Sequence, residues 1–220
     1  GRVVDPKNDF DKVADVLVDN GVISEIGENI NADGDVTVID AEGKIVSPGL
    51  VDMHSHLRDP GQEYKEDIES GTRSAAMGGI TSIACMPNTK PVTDSEPIVT
   101  YIKTKAKEVG HVNVYPIGSI SKGLEGKELA EIGELKNAGA VAISDDGRPV
   151  ENAELMRQAI EKTNENGLIV TSHCEDLKII NGGIINKGDI SEKLGVKGMD
   201  RASEDYITAR EIILAGSANV

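Results

Sequence analysis

The stretch VSPGLVDMHSH, residues 46–56, decides how the rest of the chain is read. A short apolar run ends in two histidines two positions apart, and because strand side chains have period two, both imidazoles point to the same face. The same arrangement recurs along the chain. Apolar runs of five or six residues alternate with helical segments, which is the pattern of parallel strands joined by crossover helices. Four further runs follow: ITSIACMPN ending near Asn88, VNVYPIGSI from Val112, AVAISDDG reaching Asp146, and LIVTSHC ending at Cys174. Helices are expected between and after them over 66–77, 95–109, 127–137, 152–166 and 203–214. Asp94 or Ser95 can cap the second, with Pro97 in its first turn; Asn152 can cap the fourth, and Gly167 ends it. The segment 175–201, with Gly182, Gly183 and Gly188, reads as a long loop, a usual place for an active-site cover.

Upstream the rhythm is different. Val and Ile recur at spacing two over 14–18 and 22–26, on either side of Asp19-Asn20-Gly21, where Asn and Gly tolerate the positive φ angles of a tight hairpin. A further strand is expected over 36–40 and a transition over 43–49, so residues 1–47 read as a small β subdomain and 48–220 as a second domain.

Strand-helix units fit either an open doubly wound sheet or a closed (β/α)8 TIM-type barrel. The first should carry a glycine fingerprint after its opening strand, and none is present. The second gathers functional side chains at the C-terminal ends of several strands, where His54, His56, Asn88, Asp146 and His173 all fall. An α/β barrel is therefore expected. A barrel of this kind takes about 250 residues. The second domain accommodates about five βα units, with a sixth strand opening at 218–220, so the chain reads as a portion of a longer protein.

Composition removes several classes of function. With 23 Lys+Arg against 38 Asp+Glu, the net charge is −15, and there is no basic cluster. Such a chain repels a phosphate backbone or an anionic bilayer, so neither nucleic acid nor membrane is expected as partner. No long apolar run or charged-then-apolar leader is present, and a soluble, cytoplasmic protein is expected. Two cysteines, Cys85 and Cys174, are too few for a disulfide framework; both sit in apolar stretches and read as reduced and buried.

The chemistry lies at the strand ends. His54 and His56 make a chelating pair, and imidazole suits zinc and its neighbours. His173 and the pair Asp145-Asp146 end two other strands, so neutral imidazoles and a hard carboxylate converge at one mouth, and a carboxylate can bridge two metals. Arg58 lies just past the first strand, where its guanidinium can hold a carboxylate. Asn88 carries an amide that both donates and accepts. His111 begins a strand on the opposite rim and reads as a surface residue.

In combination, GLVDMHSHLRDPG at 49–61, KEDIESGTRSAAMGGIT at 65–81, MPNTKP at 86–91, SDDG at 144–147 and SHCED at 172–176 resemble the class I dihydroorotases of the amidohydrolase superfamily. The resemblance implies zinc-dependent, reversible interconversion of L-dihydroorotate and N-carbamoyl-L-aspartate, a step of pyrimidine synthesis. It places His54 and His56 on one zinc and His173 on a second, with Asp146, in preference to Asp145, between the two ions. Many relatives carry a carboxylated lysine there; AVAISDDG has none, so an aspartate bridge is implied. Arg58 and Asn88 would hold the substrate carboxylate. A further metal-binding histidine and the proton-shuttling aspartate would follow Val220, so the 220 residues alone are expected to be inactive. The resemblance implies a small-molecule substrate and allows a homodimer and an association with aspartate transcarbamoylase. Two other readings stand beside it: another cyclic amidohydrolase, such as a hydantoinase or allantoinase, and a non-catalytic scaffold of the same fold.

Overall fold

A computed structural model describes residues 1–32 and 34–219. The chain divides into two compact units, Gly1–Leu50 and Val51–Val220. In the first, β1 (Arg2–Asp5) pairs antiparallel with β2 (Phe10–Val13). Strands β3 (Asp15–Asp19) and β4 (Val22–Gly27) form a hairpin. Its turn is the expected Asn20-Gly21, at φ of 49° and 77°, which matches the right-handed twist of the flanking strands. Strand β5 (Ile45–Val46) lies parallel to β1. The strand expected over 36–40 does not form. Val38 and Ile39 are each 84 % exposed, and without a partner ladder or a buried face their alternation has nothing to stabilise it.

The larger unit is built on one sheet. Its strands are β6 (Leu50–Ser55), β7 (Ile80–Cys85), β8 (Asn113–Gly118), β9 (Ala142–Ile143) and β10 (Ile169–Val170), between which run α1 (Ile68–Met77), α2 (Glu96–Val109), α3 (Ile132–Ala138) and α4 (Ala153–Glu165). The order across the sheet is β10-β9-β8-β7-β6, and the registers resolved for β7 with β8, β8 with β9 and β9 with β10 are parallel. A doubly wound sheet would reverse its order at a switch point. This one advances by one strand each time, as an arc of a barrel does.

Period two sorts the strand residues between layers. Ile83 and Cys85 of β7 pack with Leu57, Ile68 and Ile102 toward the helices, while Ala84 and Met86 turn to the other face with Ile117 and Ala142. The largest cluster joins Val99, Ile120, Leu135, Ile143, Met156 and Ala159 across strands and helices. Helix starts follow the capping rules. Asp67 accepts from the Ser70 amide ahead of α1, and Asn152 accepts from Glu154 and Leu155 ahead of α4. Ser95 occupies the N-cap of α2 without a side-chain bond.

Three expectations about the elements of the larger unit require correction. The segment 175–201 is not a bare loop: it holds α5 (Leu177–Ile180), β11 (Ile185–Asn186), α6 (Asp189–Leu194) and β12 (Gly198–Met199), with β11 and β12 paired in parallel. The third helix starts at Ile132 rather than at 127, because a 3-10 turn and a Ser121 to Leu129 bridge take the preceding residues. Ala218 and Asn219 end α7 (Ala202–Ser217) instead of opening a strand, and Val220 lies outside the described residues.

Of the cysteines, Cys85 is buried, whereas Cys174 is only half-buried, because its strand has already ended at Val170. Burial pushes the Cys85 thiol up to about 12. At pH 8 that leaves about one thiol in ten thousand as the reactive thiolate. Native alkylation followed by mass spectrometry should therefore mark Cys174 and spare Cys85 until denaturant is added.

Candidate metal centre

β6 delivers His54 from its last turn of pleat and His56 just beyond its end. Their ring centroids are 5.3 Å apart, in an edge-on arrangement. Asp146 stands three residues past β9 and is 6 % exposed. Its Oδ1 lies 3.3 Å from His54 Nε2 and its Oδ2 3.5 Å from His56 Nε2. One ligand atom from each of these three residues falls within 4.8 Å of the others. His173, three residues past β10, reaches the cluster through Asp146, with its Nδ1 3.3 Å from Oδ1.

Asn88 completes the group from the loop after β7. Its Oδ1 accepts from His56 Nδ1 at 3.0 Å, and its Nδ2 donates to Asp146 Oδ2 at 3.2 Å. With Nδ1 donating, the neutral His56 ring carries its lone pair on Nε2, toward the carboxylate. Glu175, to which the sequence drew no attention, lies with Oε2 3.3 Å from His173 Nε2. A carboxylate there fixes which ring nitrogen of His173 faces Asp146. The signal was present as a glutamate two positions past the histidine, but a loop residue has no fixed period to announce it.

The two adjacent aspartates have separate environments. Asp145 is 2 % exposed and turned into backbone: it accepts from Ile120 N at 2.7 Å, from Ser121 N at 3.0 Å and from the Ser121 hydroxyl. Burial pushes its carboxyl above the usual range, against the pull of those donors. Asp146 alone faces the imidazoles. Arg58 is half-buried at φ 59°, and among the described residues its guanidinium has no hydrogen-bond or ion-pair partner. His111 is exposed and stands at the start of β8, away from these groups.

A buried carboxylate ringed by imidazoles and an amide, with no lysine or arginine paired to it among the described residues, is poorly stabilised by protein alone. The donor set of nitrogen and oxygen ligands suits a divalent first-row ion, which would supply the missing positive charge. The residues present thus fit a metal.

The family model described as "Dihydro-orotase-like" matches residues 43–220. The dihydroorotase of Acetivibrio thermocellus is 59 % identical over 216 residues, covering 98 % of this chain and 50 % of that protein. That of Geobacter sulfurreducens is 55 % identical over 219 residues, 100 % of this chain and 52 % of the relative. The chain thus spans about half the length of the curated relatives it matches. Among solved structures, the L-hydantoinase of Arthrobacter aurescens superposes at a TM-score of 0.81 with 25 % identity, over 99 % of this chain and 49 % of that one. A Saccharomyces cerevisiae dihydroorotase in complex with 5-fluoroorotic acid gives 0.54 with 16 % identity, over 78 % and 45 %. The sheet order is therefore that of about half a TIM-type barrel of the amidohydrolase kind, and the chain belongs to the dihydroorotase-like family.

Proposed function

We propose that this chain supplies the first half of a dihydroorotase, a cyclic amide hydrolase that interconverts L-dihydroorotate and N-carbamoyl-L-aspartate. The observation that carries the reading is the convergence of His54, His56, His173 and Asn88 on the one buried carboxylate of Asp146. His54, His56, Asp146 and His173 would hold the metal, and zinc is the ion proposed. When bound, it supplies Lewis acidity and a lowered pKa for water. Asp146 places negative charge between the imidazoles. Asn88 sets the tautomer of His56 and, with Arg58, borders the space that the substrate would occupy. Among the described residues Arg58 has no partner to release before taking a substrate carboxylate, so its donors are available for a bidentate pair.

The substrate is tested by fusing the chain to the C-terminal half of the Acetivibrio thermocellus relative and assaying dihydroorotate, hydantoin and allantoin. Dihydroorotate should be hydrolysed best. Arg58→Ala should lower kcat/KM for dihydroorotate by about 10- to 100-fold and change hydantoin turnover little, since a hydrogen bond to a charged group contributes about 1.5–3 kcal/mol. Preference for hydantoin would favour the reading suggested by the 0.81 superposition on the Arthrobacter enzyme. A fused protein that folds but binds no metal would favour a scaffold. A cytoplasmic location belongs to the same proposal.

A further inference from the structure

Beside the metal-binding cluster, the turn from Arg58 to Gln62 is held more firmly than a surface turn requires. Gln62 N donates to the Arg58 carbonyl at 3.0 Å and closes the turn. Lys90 N donates to the Pro60 carbonyl at 2.9 Å, and Gln62 Nε2 donates to the Asn88 carbonyl at 3.1 Å, so the turn is stitched to the loop that carries Asn88. Gly61, at φ 89°, packs so closely that a Cβ there would sit 1.7 Å from the Lys90 carbonyl oxygen.

Within this turn Asp59 is 2 % exposed, and among the described residues no cation is paired with it. Its hydrogen bond comes from α2, where the Tyr101 hydroxyl donates to Oδ1 at 2.9 Å. A buried carboxylate without a counter-charge costs stability. Its sequence neighbour carries a second cost. Arg58 adopts φ 59°, a left-handed conformation that crowds its Cβ and persists only where the surroundings over-determine it.

We propose that Asp59 and Tyr101 are positioning residues: the phenol anchors the Asp59 carboxylate to α2, and the turn so fixed presents Arg58 to an anionic group of the substrate. The identity of that anion rests on the dihydroorotase reading. Tyr101 itself is 41 % exposed, so its ring adds little to the core and its hydroxyl carries the contact.

The test has two arms. Loss of water around the hydroxyl and the adjacent Asp59, with Glu63 and Glu108 nearby, push the Tyr101 phenol up to about 12. The 220-residue chain has four tyrosines and no tryptophan, so tyrosinate absorbance after a pH jump reads the phenols cleanly. Tyr101→Phe should remove the phenol titrating near 12, and Asp59→Asn should bring it down. If wild type shows no such phenol, the anchor does not exist in solution and the proposal falls. In the fused enzyme, Tyr101→Phe should raise KM for dihydroorotate about tenfold while kcat stays within about twofold and metal content is unchanged, since the loss is one of orientation. Asp59→Asn, with Tyr101 intact, keeps an acceptor for the phenol and should hold KM near the wild-type value. An unchanged KM in Tyr101→Phe overturns the inference, as does a joint fall of kcat, metal content and thermal midpoint, which would mark a merely structural contact. Failure of the wild-type fusion to act on dihydroorotate would instead sink the functional reading, and the inference with it.

Discussion

Asp146→Ala in the fused enzyme is expected to abolish stoichiometric metal binding and to lower dihydroorotate turnover by at least about a hundredfold, because even an outer partner of a metal ligand is worth 10- to 100-fold. The side chain has three imidazoles and one amide around it and is 6 % exposed, and among the described residues no other carboxylate is in contact with all three imidazoles. Plasma emission on dialysed protein gives the metal content, and the assay gives kcat. Asp146→Asn controls for shape: it keeps the volume, removes the charge and should lose the metal as well. Retention of the ion in both variants would show that the imidazoles bind elsewhere. Asp145→Asn, one residue away, probes a different interaction, since its carboxylate meets only the amides and hydroxyl of Ile120 and Ser121.

The second large effect is on stability. Ile143→Ala should cost about 2–5 kcal/mol, the range for deleting a large aliphatic side chain from a core that cannot collapse around the gap. Ile143 is fully buried within the largest cluster and is half of the two-residue strand β9. Urea unfolding followed by circular dichroism should show a lower midpoint at unchanged slope. Ile169→Ala, on the neighbouring strand but 64 % exposed, is the control, and should stay within about 0.5 kcal/mol of wild type. Equal shifts in the two variants would contradict the layer assignment.

What the sequence made legible follows the range of the interactions involved. Asn20-Gly21 declares its hairpin because the turn is local. The five strands of the larger sheet and the helices between them announce themselves as apolar runs alternating with helical segments. Valine and isoleucine over 36–40 mislead, since alternation describes a strand only where a neighbour offers its backbone. The elements within 175–201 are too short for any period to emerge; the start of α5 is fixed by Asp176 accepting from Lys178 and Ile179. At the candidate metal centre, residue types and strand ends could be read, but partners could not. Asn88 meets His56 32 positions away and Asp146 58 away, and Tyr101 meets Asp59 across 42, distances at which sequence pattern carries no signal. The resemblance pointed Asn88 at the substrate, whereas the structure also gives its amide a bond to one histidine and to the shared aspartate.

The one-by-one strand order bears on assembly during synthesis. Each strand from β6 to β10 joins the sheet beside the strand made just before it, so a chain emerging from the ribosome can lay down its layers as they appear. The histidine cluster has no such privilege. His54 leaves the ribosome more than a hundred residues ahead of His173, so the full set of proposed metal ligands can meet only late, once the growing sheet has reached its fifth strand.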